Sequence, residues 1–380
     1  MLVLDNITIV ICIFLVILAF CSSLFDTFFK KIVDKEETDS MEEQKPVSVI
    51  IISDNNAREL NDNLKYFLSQ DYSAGYEVIV VVCRDEDGTC DVLKSFEKEQ
   101  KLYTTFVPDT SRYMSIRKLA ITLGVKAAKN EQVLLTDAVC KPVSEHWISS
   151  MSSKCRDEID LVIGYSNYAE GTSQFKIFSR LHREYAFLYD AYKGFAYSTC
   201  GNNLLFRKSV FMSGRGFQGN LKYLRGEYSF LVNKYSGNGN VAIATSNGCM
   251  VVETPPSNKT WKNTNLLYIE TRKHLKRSFR HRFIFNIDMF SLHVCLIFAI
   301  LSVLYAIFFA KWLILLFSFI AFFVPVVFRT ISAKRVMNSF HVHVNLWKVF
   351  PFEWALLWKN LKYAYRYRVS DKYEYISHKS

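Results

Sequence analysis

Apolar positions occur along this chain in two ways. In three stretches they are nearly continuous: Ile7 to Leu24, Met289 to Ala310 and Trp312 to Phe328, the last two separated only by Lys311. At about 1.5 Å per helical residue, each run approaches or exceeds the roughly 30 Å of a bilayer's hydrocarbon core. Between the first and second runs the pattern changes to short apolar strands alternating with helical spacing. Val47 to Ile52 is an apolar run interrupted only by Ser48, opened by Pro46 and closed by the turn-forming Ser53-Asp54-Asn55-Asn56. Leu60, Leu64, Phe67 and Leu68 then recur at the spacing of one helix face. The same alternation continues with a strand at Glu77 to Cys83, a helix marked by Val92, Leu93 and Phe96, and a strand at Tyr103 to Val107. A helix over Leu119, Leu123 and Val125 to Ala128 and a strand from Val133 to Thr136 complete it. This order predicts an α/β domain with a doubly wound, mostly parallel sheet flanked by helices. Ligands of such sheets lie at the carboxyl ends of the strands, where Asn55, Asp85 and Asp137 fall. Beyond Pro142 the alternation weakens. Phe175 to Ala191 reads as a helix, Gly201 to Arg207 and Val241 to Ala244 as strands, and Gly226 to Tyr235 as a short helix.

Charge orients the apolar runs. Lys30, Lys31 and Lys35 follow the first; Arg272, Lys273, Lys276, Arg277, Arg280 and Arg282 precede the second; Arg329, Lys334 and Arg335 follow the third. The opposite flanks hold Asp5 and Lys311. The bias of basic residues toward the cytoplasmic side predicts a multi-pass protein of the cell membrane with its main domain in the cytoplasm. A cleaved signal peptide is the other reading of the first run, with Ser22-Ser23 as the small residues, but Asp5 stands where a basic leader would begin. The net charge of +11 is concentrated late: ten Lys/Arg against three Asp/Glu lie from position 329 onward, interleaved with Trp347, Trp354, Trp358, Tyr363 and Tyr365. Basic and aromatic residues beside a span suit contact with membrane lipids rather than with nucleic acid. Nine cysteines, without a CxxC pair, fit reduced thiols rather than a zinc or disulfide framework.

The sharpest chemical signal is Leu134-Leu135-Thr136-Asp137-Ala138-Val139-Cys140-Lys141-Pro142. An apolar strand runs into an aspartate, and an acid two places on would complete a DxD pair for a divalent cation; that place holds Val139. Further segments stand in a telling order: Val47 to Ile52; Gln70-Asp71-Tyr72 with Tyr76 to Val81; Lys118-Leu119-Ala120 through Ala128; Trp147; Gly201 to Lys208; Gly226-Glu227. With these the chain resembles the membrane-anchored family-2 glycosyltransferases of GT-A fold over roughly Pro46 to Leu275 and the spans. The implied organisation is an N-terminal anchor at 1–29, a charged linker at 30–45, a GT-A-like domain at 46–282, a transmembrane hairpin at 283–328 and a basic aromatic tail at 329–380. The implied fold class is a GT-A-like doubly wound mixed sheet with one N-terminal and two C-terminal transmembrane helices.

The resemblance also implies roles. Asn55, Asp85, Asp87, Lys118, Asp137, Arg272 and His274 fall where the family binds the nucleotide-sugar donor, and Arg207 is a further candidate for the phosphates. Gly201, Asn202 and Asn203 fall on the acceptor side, and Glu227 and Tyr228 at the catalytic base. Asp137 would hold Mn2+ or Mg2+, weakened by Val139. The chain departs from the family at its acids. Asn56, Val82-Cys83, Val139 and Tyr228 stand where carboxylates are expected, and Glu270-Thr271-Arg272-Lys273-His274 replaces a Gln-x-x-Arg-Trp-like segment. Each residue also has a plain reading: Asp137 as a turn residue, Asp85 and Asp87 as loop punctuation before Gly88, Glu227 as a helix-start glutamate, Arg272 to His274 as juxtamembrane charge. The expected function is transfer of a sugar to a lipid-linked or glycan acceptor at the cytoplasmic face, with inversion. The alternative is a catalytically degenerate membrane scaffold or subunit of the same fold.

Overall fold

The computed structural model describes residues 5–33, 44–108, 115–237 and 239–371. Most of the predicted linker (34–43) and the last residues of the predicted tail (372–380) lie outside them. The chain forms two units, one drawn from its first 31 residues and residues 277–365, the other chiefly from residues 32–276. It opens with α1 (Asn6–Leu24), capped by Asp5, whose carboxylate accepts the Thr8 backbone N–H at 3.1 Å.

In the second unit, β1 (Val47–Ser53) is buried at all seven positions. A strand apolar on both faces belongs in the middle of a sheet covered on both sides. β1 accordingly pairs in parallel with β2 (Tyr76–Val82) and β4 (Gln132–Asp137), with β3 (Leu102–Phe106) beyond β2. The intervening helices are α2 (Ala57–Leu68), α3 (Thr89–Ser95) and α4 (Ile116–Ala127). α2 turns Leu60, Leu64 and Phe67 into the core. α4 lies so close to the sheet that a Cβ on Gly124 would stand 2.7 Å from a methyl of Ile50, so only glycine fits.

The remainder comprises β5 (Cys140–Pro142), α5 (Trp147–Ser152), β6 (Leu161–Gly164), β7 (Ser166–Tyr168), α6 (Gln174–Tyr192), β8 (Leu204–Arg207) and α7 (Lys208–Ser213). It continues with α8 (Glu227–Tyr235), β9 (Val241–Ala244), β10 (Val251–Glu253) and α9 (Asn258–His274). The main sheet has seven strands in the order β3-β2-β1-β4-β8-β6-β9, with β8 antiparallel to both neighbours, and β5-β10-β7 form a small second sheet. The mixed sheet flanked by helices agrees with the sequence reading. The strand expected from Gly201 begins only at Leu204, because Gly201 (φ +98°) and Asn202 (φ +68°) are left-handed and leave the extended path. Since β8 runs against β4, this turn sits at the carboxyl edge of the parallel strands.

In the first unit, α10 (Phe279–Phe308) and α11 (Trp312–Ser339) join α1, and all three are long and apolar enough to cross a membrane. α12 (Leu346–Val369) follows, so the described part of the predicted tail is largely helical. α10 starts ahead of its apolar run because Ser278 and His281 form a capping box. Lys311, in the turn between α10 and α11, lies 3.0 Å from Asp5, so the N-terminal end of α1 and this turn share one end of the bundle. At the other end, Arg329 of α11 is 2% exposed. It bonds Asp288 of α10 at 2.8 Å and Glu353 of α12 at 3.1 Å, stands 3.9 Å from Asp26, and donates to the Ser22 carbonyl at 2.9 Å. The apolar runs alone gave no sign of charge pairing between these helices; the pairing uses residues just outside them.

Candidate functional site

β4 carries Asp137 to the carboxyl edge of the sheet, where the backbone turns through Ala138, whose N–H donates to Ile52 at 3.0 Å. Facing it is Arg117, in the first turn of α4. A cation at a helix N-terminus is opposed by the helix dipole and needs carboxylate partners to be stable there. It has two: an Arg117 Nη lies 2.6 Å from Asp137, and its Nε lies 4.0 Å from Glu227 at the start of α8. Glu227 is placed by Gly226 (φ +89°), where a side chain would both strain the backbone and collide with Thr271 of α9. Ser115 donates to the other Glu227 oxygen at 3.4 Å. On the opposite wall, Arg180 of α6 pairs with Glu253 of β10 at 2.5 Å and stacks on Tyr168 at 4.6 Å. Asn202 donates to the same Glu253 at 2.9 Å. Buried Glu184 accepts from Thr199 and Cys200, which fixes the loop leading to Gly201 and Asn202.

Arg117, Asp137, Arg180, Asn202, Glu227 and Glu253 line a cleft of about 320 Å³ together with Arg183, Arg225, Tyr228 and Trp261. A second cleft of about 360 Å³, running along Asp54, Asn55, Asn56 and Arg84, shares Arg117, Val139, Arg225 and Glu253 with the first. Burial pushes the Asp137 carboxyl above its ordinary range, against the pull of Arg117. Burial also opposes the charge on Arg117, but Asp137 and Glu227 more than offset it, so Arg117 is held well above its ordinary value and stays charged. Burial, reinforced by Asp137, likewise holds the Tyr228 phenol well above its usual value. At neutral pH Tyr228 is therefore a hydrogen-bond donor and not a proton acceptor.

The structure brings together Asp137, Glu227, Tyr228 and Asn202 in the first cleft, and Asn55 (φ +56°) in the second. The other residues singled out in the sequence are committed elsewhere. Asp85 accepts the Cys90 N–H at 3.0 Å, and Asp87 accepts the Ala57 N–H at 2.6 Å and the Thr89 hydroxyl at 2.7 Å, so both organise the loops that start α2 and α3. Asn203 is buried and donates to the Tyr165 and Cys249 carbonyls. Gly201 packs on the Tyr228 ring. Arg207 binds the carbonyls of Ile159 and Arg156. His274 stacks on Tyr223 with ring centroids 4.0 Å apart, and neither it nor Arg272 lines either cleft. Arg117, Arg180, Arg183 and Glu253 were not singled out. The available signal was a basic residue in a helix's first turn (Arg117) and one on an apolar helix face (Arg180).

Lys118 is fully buried, and its ammonium donates to the carbonyls of Asn220, at 2.6 Å, and Tyr223. Burial pulls its pKa down to about 8. Lys118→Met should destabilise the domain by about 1.5–3 kcal/mol, the range for a charged hydrogen bond, with unchanged nucleotide affinity. The wild type should also gain stability as pH rises from about 8 toward 10, because the unfolded chain then holds a proton the folded chain has released. Thermal unfolding across pH would show this gain in the wild type and not in the variant. Weaker nucleotide binding at unchanged stability would instead place Lys118 on the ligand.

A hard divalent cation takes about six oxygen ligands, with carboxylates converging on it. Asp137 is paired to Arg117, Glu253 to Arg180, and the position that would complete the pair with Asp137 is an apolar side chain packed on the core. Among the described residues no group of three or more His, Cys, Asp or Glu is disposed to hold a metal. The donor set does not fit Mn2+ or Mg2+.

No family model and no curated protein matches the chain. Among solved structures it is similar to the mannosyltransferase PcManGT from Pyrobaculum calidifontis in complex with GDP-Man and Mn2+, with 16% identity and a TM-score of 0.52 over 88% of this chain and 99% of that one. It also matches S. aureus TarS at 12% identity (TM-score 0.41; 62% of this chain, 41% of that one) and TarS 1–349 at 12% (0.40; 86% and 93%). At these identities the likeness is one of fold. The chain thus has a glycosyltransferase-like fold: a mixed α/β domain with a seven-stranded sheet flanked by helices, accompanied by three helices long and apolar enough to cross a membrane.

Proposed function

We propose that this protein is a membrane-anchored glycosyltransferase. It moves a sugar from a nucleotide-sugar donor to a hydroxyl of a lipid-linked or glycan acceptor at the cytoplasmic face. The observation that carries this reading is the cleft at the carboxyl edge of a glycosyltransferase-like sheet, where Glu227 borders the same space as the guanidinium groups. In the proposed step the acceptor oxygen attacks the anomeric carbon and its proton passes to the Glu227 carboxylate. The bond from that carbon to the diphosphate oxygen breaks, and the nucleoside diphosphate leaves with the electron pair. A single displacement of this kind inverts the anomeric centre. In this reading Asn55 and its neighbours in the second cleft hold the nucleoside, and protonated Tyr228 donates to an oxygen of donor or acceptor. The basic flanks of the apolar helices support a cytoplasmic domain. The exposed Trp347, Trp358 and Tyr365 of α12 suit the headgroup layer.

A second reading, a non-catalytic membrane relative, is favoured by two observations: Glu227 is within reach of Arg117 and Ser115, and Tyr228 is a poor base. Full-length protein in detergent, mixed with UDP-, GDP- and CMP-sugars and extracted membrane glycolipid, separates the two. Release of nucleotide with one donor is the expected result. A donor that binds only the folded state also adds about 2.7 kcal/mol of stability at a hundredfold excess over Kd. Binding without release, across acceptors, would favour the non-catalytic relative. A folded sample that binds no nucleotide would overturn the glycosyl-transfer reading.

A further inference from the structure

We infer that the cleft binds a diphosphate group through the guanidinium groups of Arg117 and Arg180, with no divalent cation between protein and phosphate; this rests on the glycosyl-transfer reading. The first ground is the state of the carboxylates. In a hard-cation site they converge on an open centre. Here Asp137 and Glu253 each hold an arginine, at 2.6 Å and 2.5 Å, and Glu227 stands 4.0 Å from the first of them. A cation bound to Asp137 would have to displace Arg117 and then sit beside its buried positive charge.

The second ground is unused donor capacity. Arg180 lines this cleft, and its buried Nε has no hydrogen-bond partner among the described residues. A buried donor without a partner costs free energy that a ligand oxygen restores. A guanidinium carries five N–H donors in a planar fork matched to phosphate oxygens. Arg117 reaches Asp137 through one Nη and faces Glu227 with its Nε, which leaves its other Nη for a ligand. The third ground is charge: four arginines and three carboxylates line the cleft, so it is cationic before any metal is added. Asp137 then positions and charges Arg117, and Val139 closes the space a second metal ligand would need.

The test is titration of the full-length protein in detergent with UDP and with GDP, once in EDTA and once in excess Mn2+. The expected Kd for the preferred nucleotide differs by less than about threefold between the two conditions. Asp137→Asn, near-isosteric, releases Arg117 from its carboxylate and should tighten binding in EDTA by about 3- to 10-fold. Arg117→Gln should weaken it by about 10- to 100-fold, the effect of a lost charge-assisted bond; the wild-type and Asp137→Asn arms do not depend on that variant folding. Binding lost in EDTA and restored by Mn2+, or equal or weaker binding by Asp137→Asn, would overturn the inference and leave glycosyl transfer standing. No nucleotide binding in either condition by a folded sample would overturn both.

Discussion

Glu227→Gln is expected to bind nucleotide sugar as the wild type does and to lose about 10²- to 10⁴-fold in turnover, the usual contribution of a general base. The substitution keeps the shape of the side chain and its hydrogen bond from Ser115, so α8 and its Gly226 start are undisturbed. It removes the proton acceptor and one of the two carboxylates facing Arg117. The two effects separate in the kinetics. A lost base lowers kcat with KM unchanged, whereas a merely electrostatic role for Glu227 would move KM with kcat unchanged. Tyr228→Phe is the internal control, because a protonated phenol that only donates a hydrogen bond costs far less to remove. Equal turnover by Glu227→Gln would take this residue out of the mechanism.

Arg329→Met is expected to cost about 3–5 kcal/mol of stability in the helical unit, the penalty for removing one partner from a buried ion cluster. Three carboxylates face this one guanidinium, and Asp26, Asp288 and Glu353 are 0%, 1% and 3% exposed. Removing Arg329 takes this guanidinium from all three carboxylates at once and frees the Ser22 carbonyl. Asp26→Asn, which lowers the excess of negative charge and keeps the arginine, should be much milder. Unfolding in detergent followed by tryptophan fluorescence reads both. An Arg329→Met variant as stable as the wild type would show that the arginine does not hold these helices together.

The parallel half of the sheet was legible in the sequence because β1, β2 and β4 are six or seven residues long and almost wholly buried, which leaves short, largely apolar runs. The small sheet was not, since β5, β7 and β10 have three residues each and no period can be read in so few. The site was legible where a motif position coincided with a strand or helix end, as at Asp137 and Glu227. It was not legible where partners come together only through folding. Arg117 lies beside Lys118 in sequence, yet the first faces the cleft and the second is sealed under the loop before α8. Nothing local distinguishes them; the difference is which side of α4 the carboxylates of β4 and α8 approach. Arg180 and Glu253 pair across a long stretch of chain, beyond the range of any spacing rule.

The arrangement at Arg329 also carries a consequence for biogenesis. On the membrane reading, α1 is inserted before α11, and Asp26 arrives with it, but the arginine that faces it is made about 300 residues later. At about 5–20 residues per second, roughly 15 to 60 seconds of synthesis separate the two. Throughout that interval the carboxylate of Asp26 must stay hydrated, so the first helix waits with this end at the aqueous boundary. The bundle locks only when the third span delivers its guanidinium. A ribosome stalled before Arg329 would leave a chain that is anchored yet unassembled, and so open to the proteases that survey half-built membrane proteins.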